Sequence, residues 1–338
     1  MAAQQAPPQA AIMHIIADFW RSRAVYLAAR LKLADAVGNS RPTLGAIAAA
    51  TGTRPEALCR LLRALTAHGI FREEDDGTFT QTPLSEVLRS GTAGSMRAFA
   101  EVELGLDHYD SWREAETCLT QPGTAFERIF KMPIWRYYAE HPELESLFGE
   151  AMTNLTAIAN AGVLGSYQFR TFNSAVDIGG GQGSFLAAIL DSNPTAKGIL
   201  FDLPSVIEDA TKAEFVARLG SRIQPVGGDF FEQVPSGGDL YLLKFVLHDW
   251  DDANSVRILT NIRKAIAPSG RLAIVELVLP GRNEPHIGPL MDLNMMVMTG
   301  GVERTGAAYG DLLARAGFRV ERVAGTKSPF SVVEAVPI

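Results

Sequence analysis

Cysteine, histidine and net positive charge are all scarce in this chain of 338 residues. The two cysteines, Cys59 and Cys118, stand far apart without a C-x-x-C partner, and six histidines are scattered along the chain. That excludes a disulfide framework and gives no spacing suited to a zinc site; both thiols read as core residues. Lys and Arg number 31 against 38 Asp and Glu, a net charge of −7, which disfavours nucleic acid or an anionic membrane as the main partner. No apolar run is long enough to span a bilayer. The stretch Ala11–Ala17 is interrupted by His14 and followed by Asp18, and Met1–Ala10 lacks the basic start of a signal peptide, so a cytoplasmic location is expected. What remains, 47% hydrophobic and 20% charged residues, is ordinary for a globular protein long enough for two domains.

The pattern changes near residue 165, which predicts domains at 1–165 and 166–338. Before that point, segments 12–37, 43–68, 95–120 and 134–162 carry apolar residues at three- and four-residue spacing and read as helices. After it, apolar runs at 175–178, 198–202, 239–246, 271–278, 318–324 and 330–336 alternate with helical stretches. This is the signature of an α/β fold with a parallel sheet wound by crossovers. Only Gly325–Pro329 separates the last two runs, too short a link for a crossover, so they should close the sheet as an antiparallel hairpin.

Residues 43–88 depart from the helical pattern. Thr43–Ala50, a short turn and Arg54–Leu65 read as helix-turn-helix, and Ile70–Thr80 as a hairpin about Asp76-Gly77. A winged helix raises the question of a DNA-reading regulator. Over 41–90, however, six arginines are matched by six acids, four of them consecutive from Glu73 to Asp76 in the wing. A phosphate-binding surface needs a positive excess, so the segment reads as a packing module.

Residues 175–183, Ala-Val-Asp-Ile-Gly-Gly-Gly-Gln-Gly, run from a strand into a glycine-rich turn. Gly179, Gly181 and Gly183 suit a turn in which bare main chain faces a ligand. About 20 residues on, the next strand ends at Asp202, placed for a ribose. NAD and S-adenosylmethionine both fit so far. The spacing is G-x-G-x-G rather than G-x-G-x-x-G, since the last position of the latter falls on Ser184 or Leu186. Asp177 before the glycines also favours a cationic ligand over a pyrophosphate.

Tyr241–Asp252 begins as a strand and ends in a polar turn that leaves His248 and Asp249 at the strand's carboxyl end, where open α/β sheets hold ligands. His248 is a base by position, though a capping or core histidine is the plainer alternative. Glu276 closes the apolar run Leu272–Val275, an expensive place for a carboxylate without a partner. Glu303 lies in Gly300–Thr305, where an ion pair with Arg304 is the simpler reading.

Taken in order, Val176–Gly183, Phe201–Pro204, Gly228–Phe231, Leu243–Asp252, Gly300–Thr305 and Leu312–Phe318 resemble the larger, metal-independent S-adenosylmethionine-dependent O-methyltransferases. That family includes plant caffeic acid and flavonoid enzymes and bacterial natural-product enzymes. The resemblance implies a Rossmann-like class I methyltransferase sheet behind a winged-helix dimerisation domain, and a homodimer. It implies that Gly179, Gly181 and Gly183 cradle the amino-acid end of S-adenosylmethionine, that Asp202 holds the ribose, that Leu203, Asp229 and Phe230 frame the adenine, and that Lys244 lies near the cofactor. His248 matches the family's base and Glu276 and Glu303 the flanking acids. Phe148, Met152, Asp249, Asn294 and Met298 fall where the acceptor is lined, while Met298-Thr299 replaces an Asn-Pro frequent in plant members, so acceptor choice does not transfer.

No metal is required by this scheme, and S-adenosylhomocysteine is the expected product. A phenol titrating near ~10 is a poor nucleophile at neutral pH, so an imidazole able to take its proton is the chemical need. Transfer to nitrogen or carbon by the same fold remains the alternative.

Overall fold

The computed structural model describes residues 7–92 and 94–338. Two compact units emerge. One comprises the described residues through Tyr109 together with Glu143–Leu155, the other Asp110–Pro142 and Thr156–Ile338. The division is thus interleaved rather than a single cut near 165, because segments 110–142 and 156–165 pack with the second unit.

In the first unit, Thr43 caps the helix Leu44–Thr51 through the Ala46 amide at 3.4 Å, and Gly52, at φ +64°, ends it. The next helix, Pro55–Ala67, starts with proline, whose missing N–H costs nothing at that position. Strands β1 (Phe71–Glu73) and β2 (Phe79–Gln81) pair antiparallel, with Gly77 at φ +75° in the turn and Asp76 Oδ1 accepting the Thr78 amide at 3.0 Å. Leu33, Ile47, Leu62, Leu65, Phe71 and Phe79 form the core of this winged helix. The expected helix at 95–120 is three short ones, Arg97–Glu103, Leu106–Arg113 and Ala115–Thr120. Phe148 and Met152 pack around Ala98, Val102 and Ala151 in the first unit.

The second unit is built on seven strands. Strands β3 (Ser174–Ile178), β4 (Lys197–Asp202), β5 (Ile223–Gly227), β6 (Leu240–Lys244) and β7 (Arg271–Glu276) are parallel, and β10 (Phe318–Gly325) and β11 (Ser331–Pro337) form the antiparallel hairpin. Between them lie two-residue strands β8 (Val278–Leu279) and β9 (Arg304–Thr305), which pair parallel. The order β10-β11-β7-β6-β3-β4-β5 means that the chain builds outward from β3 through β4 to β5, then returns to β6 on the other side of β3. That reversal opens a crevice at the carboxyl ends of β3 and β6, where the glycine turn and the His248 turn sit. Strand β5 escaped the sequence reading. It is a short edge strand containing Pro225, tolerated there because an edge leaves ladder positions unpaired.

Candidate active site

The glycine turn follows β3 directly. Gly179, Gly181 and Gly183 all have positive φ, at +66°, +57° and +84°, but the three do different work. A Cβ at Gly179 would come within 2.8 Å of Val246, and one at Gly183 within 2.7 Å of Leu200, so both permit close packing as well as the backbone turn. A Cβ at Gly181 would meet nothing within 4 Å, leaving bare main chain facing open space. Asp202 Oδ2 accepts the Gly181 amide at 2.8 Å and Oδ1 the Leu203 amide at 2.7 Å. Burial pushes the Asp202 pKa up, and these two amides oppose the shift.

Behind the turn, Asp177 is 1% exposed and neither oxygen has a hydrogen-bond partner within normal limits among the described residues. Burial drives its pKa upward, while the nearby Lys244 ammonium pulls it down. Lys244 is held by Thr156 Oγ1 at 2.7 Å and stacks over Phe245, 4.1 Å from the ring centroid; burial lowers its pKa against the attraction of Asp177. An under-compensated carboxylate beneath a bare glycine turn fits a cationic ligand such as S-adenosylmethionine. Past the ends of β4 and β5, Leu203 is 52% exposed for an apolar side chain, whereas Phe230 packs edge-on to Phe231 and Trp250. Asp229 Oδ1 accepts the Phe231 amide at 2.7 Å and shapes that turn.

His248 lies on a short turn after β6, its side chain 17% exposed. Nδ1 is 2.8 Å from Glu303 Oε1, and Nε2 is 3.8 Å from Asp249 Oδ1. The β8–β9 pairing lays residues 304 and 305 along the chain just past β7, which brings Glu303 to the ring. Glu303 is fully buried, its amide donates to Asp292 Oδ1 at 2.9 Å, and burial raises its pKa while the imidazole lowers it. For His248, burial opposes the charged form, yet Asp249 and the bond to Glu303 prevail and push its pKa up to about 10. Asp249 is itself pushed up to about 6, chiefly by burial.

Two sequence expectations need correction. Glu276 does not touch the imidazole: Oε1 accepts the amides of Val246, Leu247 and His248 at 3.2, 2.7 and 3.3 Å, and Oε2 accepts the Tyr309 hydroxyl. The carboxylate at the end of β7 is compensated by the backbone that carries His248 rather than by the imidazole itself. Nor does Arg304 pair with Glu303. Its guanidinium bonds Asp252 at 2.9 Å and donates to the carbonyls of Leu247 and Trp250, both at 2.9 Å.

The helix Gly288–Met298 buries Asn294, Met295, Val297 and Met298. Asn294 Oδ1 accepts from Trp112 Nε1 at 2.9 Å, a partner from segment 110–142 that helical spacing gave no means of finding. A cavity of about 580 Å³ opens beside Asp249, Trp250, Asp292 and Gly300–Val302, but His248, Asn294 and Met298 do not line it. Among the described residues no cluster of His, Cys, Asp or Glu is arranged to hold a metal ion, and no helix is long and apolar enough to cross a membrane.

Comparison with known proteins agrees with this geometry. Residues 112–319 match the O-methyltransferase domain, and residues 13–91 the O-methyltransferase dimerisation domain. The chain is similar to the phenazine O-methyltransferase PhzM of Lysobacter antibioticus, 42% identical over 98% of this chain and 97% of the relative. It is also 36% identical to an 8-amino-8-demethylriboflavin N,N-dimethyltransferase of Streptomyces davaonensis, over 92% of this chain and 90% of that one. Among solved structures, CalO1, a methyltransferase in calicheamicin biosynthesis bound to S-adenosylhomocysteine, superposes with a TM-score of 0.86 at 32% identity, covering 99% of this chain and 100% of that one. With the glycine turn, the switch-point crevice and the match over both segments, this chain belongs to the S-adenosylmethionine-dependent O-methyltransferase family.

Proposed function

We propose that this enzyme methylates a hydroxyl of a small aromatic or polyketide-type molecule, with His248 as the general base. One observation carries the reading: Nδ1 of His248 is engaged by Glu303 at 2.8 Å, which fixes the tautomer and leaves Nε2 to receive a proton. The carboxylate then stabilises the imidazolium once the proton has moved. Gly181, Asp202, Leu203, Phe230 and the charge of Asp177 are the residues proposed to hold S-adenosylmethionine, which when bound supplies an electron-poor methyl group on a sulfonium. Asp249, Asn294 and Met298 are proposed to contact the acceptor.

With His248 pushed up to about 10, its affinity for a proton matches that of a phenol near ~10, so transfer from the hydroxyl to Nε2 is close to balanced. The hydroxyl proton would pass to Nε2 as the oxygen lone pair bonds to the methyl carbon, and the bond from that carbon to sulfur would break, leaving S-adenosylhomocysteine as the neutral thioether. His248→Ala or His248→Gln should lower turnover by roughly 10²- to 10⁴-fold while cofactor affinity stays nearly intact. A phenol acidic enough to be ionised at the assay pH should show a smaller defect. Wild-type turnover by His248→Ala on a neutral phenol at saturating cofactor would refute the assignment.

The similarity to an N,N-dimethyltransferase supports a second reading, an amine acceptor in the same site. Product mass and NMR separate the two, since methylation on oxygen and on nitrogen places the new methyl resonance differently.

A homodimer through the first unit is part of the proposal. Ile12, Met13, Ile15, Ile16, Phe19 and Trp20 on the helix Pro8–Arg30 are each at least 50% exposed, and they fall within or beside the matched dimerisation segment. So large an apolar stripe calls for a covering surface.

A further inference from the structure

The mechanism gives no task to the fully buried hydroxyl of Tyr309. Tyr309, on the helix Gly306–Arg315, is 0% exposed, and its hydroxyl donates to Oε2 of the equally buried Glu276. A phenylalanine would supply the same ring. The hydroxyl costs desolvation, and Glu276 is what compensates it.

On the other side of that carboxylate, Oε1 gathers three successive amides, those of Val246, Leu247 and His248. Consecutive N–H groups converge on one oxygen in this way only when the backbone curls into a nest. The curl begins at Phe245, a non-glycine residue at φ +57°, a left-handed conformation that persists only where the surroundings hold it. Arg304 secures the carbonyls of the same turn at Leu247 and Trp250. Among the described residues these three amides have no acceptor besides Glu276, and the second oxygen of Glu276 is held by Tyr309.

We propose that Tyr309 is a positioning residue for methyl transfer: by fixing Oε2 of Glu276 it aims Oε1 at the three amides, and so sets the turn that presents the His248 ring to the acceptor. The proposal rests on His248 being the base. It divides the labour of the two glutamates, Glu303 orienting the ring and Glu276, locked by Tyr309, orienting the backbone beneath it.

The test pairs Tyr309→Phe with two acceptors, a neutral phenol and one already ionised at the assay pH, in both the wild-type and the His248→Ala background. Expected are a loss in kcat of about tenfold or more on the neutral phenol, a distinctly smaller loss on the ionised one, cofactor affinity by calorimetry within about twofold of wild type, and no further loss on top of His248→Ala. A role in packing alone would slow both phenols equally and would multiply with His248→Ala; either result, or unimpaired turnover, overturns the proposal. Should Tyr309→Phe not fold, Glu276→Gln is read with the same phenols, and an acceptor-independent loss is again the overturning result. A His248→Ala enzyme as fast as wild type overturns the base assignment and this proposal with it. A slow His248→Ala beside an unimpaired Tyr309→Phe overturns this proposal alone.

Discussion

At the scale of single residues, the site is a contest between burial and neighbouring charge. Three carboxyl groups, Asp249, Glu276 and Glu303, act electrostatically on the His248 imidazole, and together they overcome a burial that on its own would discharge it. The sign of the pH dependence follows. Below its raised pKa the imidazole is protonated and has no lone pair for a neutral hydroxyl, so kcat should climb with pH through the neutral range and flatten on approaching about 10. His248→Gln should remove that rising limb, and a mutant profile parallel to wild type would assign the titration to another group. Asp202 makes a separate prediction. Asp202→Ala should weaken S-adenosylmethionine binding by about 1.5 to 3 kcal/mol, a charge-assisted hydrogen bond's worth, and calorimetry showing unchanged affinity would remove Asp202 from the cofactor site. The structure adds that Asp202 also anchors the Gly181 amide, so the loss includes a loosened turn. His248 and Asp202 stand out in the sequence because one follows and the other closes an apolar strand, whereas Glu303 is placed beside the histidine only by the family resemblance. The partner of Arg304 was not legible there, since adjacency in sequence placed it beside Glu303 while the fold turned its guanidinium toward Asp252.

Among elements, the segment Gly300–Thr305 and the turn Leu247–Asp249 behave as one piece. Val302 donates to the His248 carbonyl at 2.8 Å, and a Cβ at Gly301 would lie 1.9 Å from that same oxygen. Gly301→Ala must therefore displace backbone, and turnover should drop by at least about tenfold with cofactor affinity little changed; a fully active Gly301→Ala would show that the two segments are not tied. Gly310, inside the neighbouring helix Gly306–Arg315, is the control, because a Cβ there meets nothing within 4 Å. Gly310→Ala should raise stability by about 1 kcal/mol through helix propensity, seen as a higher Tm at undiminished activity. Elements with strong local signals, the β1–β2 hairpin and the strand entering the glycine turn, were readable in advance. Strand β5 was not, because an edge strand needs little apolar sequence and tolerates Pro225.

For the whole molecule the exposed apolar stripe of the helix Pro8–Arg30 is the feature that a lone chain does not explain. Ile16 and Trp20 are 61% and 68% exposed at its centre. Replacing both by Glu should convert a homodimer into single chains of 36.5 kDa, measured by light scattering at micromolar concentration, with the winged helix still folded because its core lies elsewhere. Wild type already at the mass of one chain would sink the dimer proposal.

The sequence by itself determined what depends on neighbours along the chain: glycines where φ is positive, a proline opening a helix, a two-residue turn, and the succession of strands that makes an α/β sheet. It also named the acids and the histidine. Which acid meets which atom was decided by tertiary structure. Glu303 reaches the imidazole through the β8–β9 pairing, Glu276 reaches the amides because β7 lies beside β6, and Tyr309 reaches Glu276 from a helix packed against the sheet. The interleaving of segments 110–142 and 143–155 between the two units arises in the same way. Such contacts join residues distant in sequence and are selected by the burial of whole faces, so no local propensity encodes them.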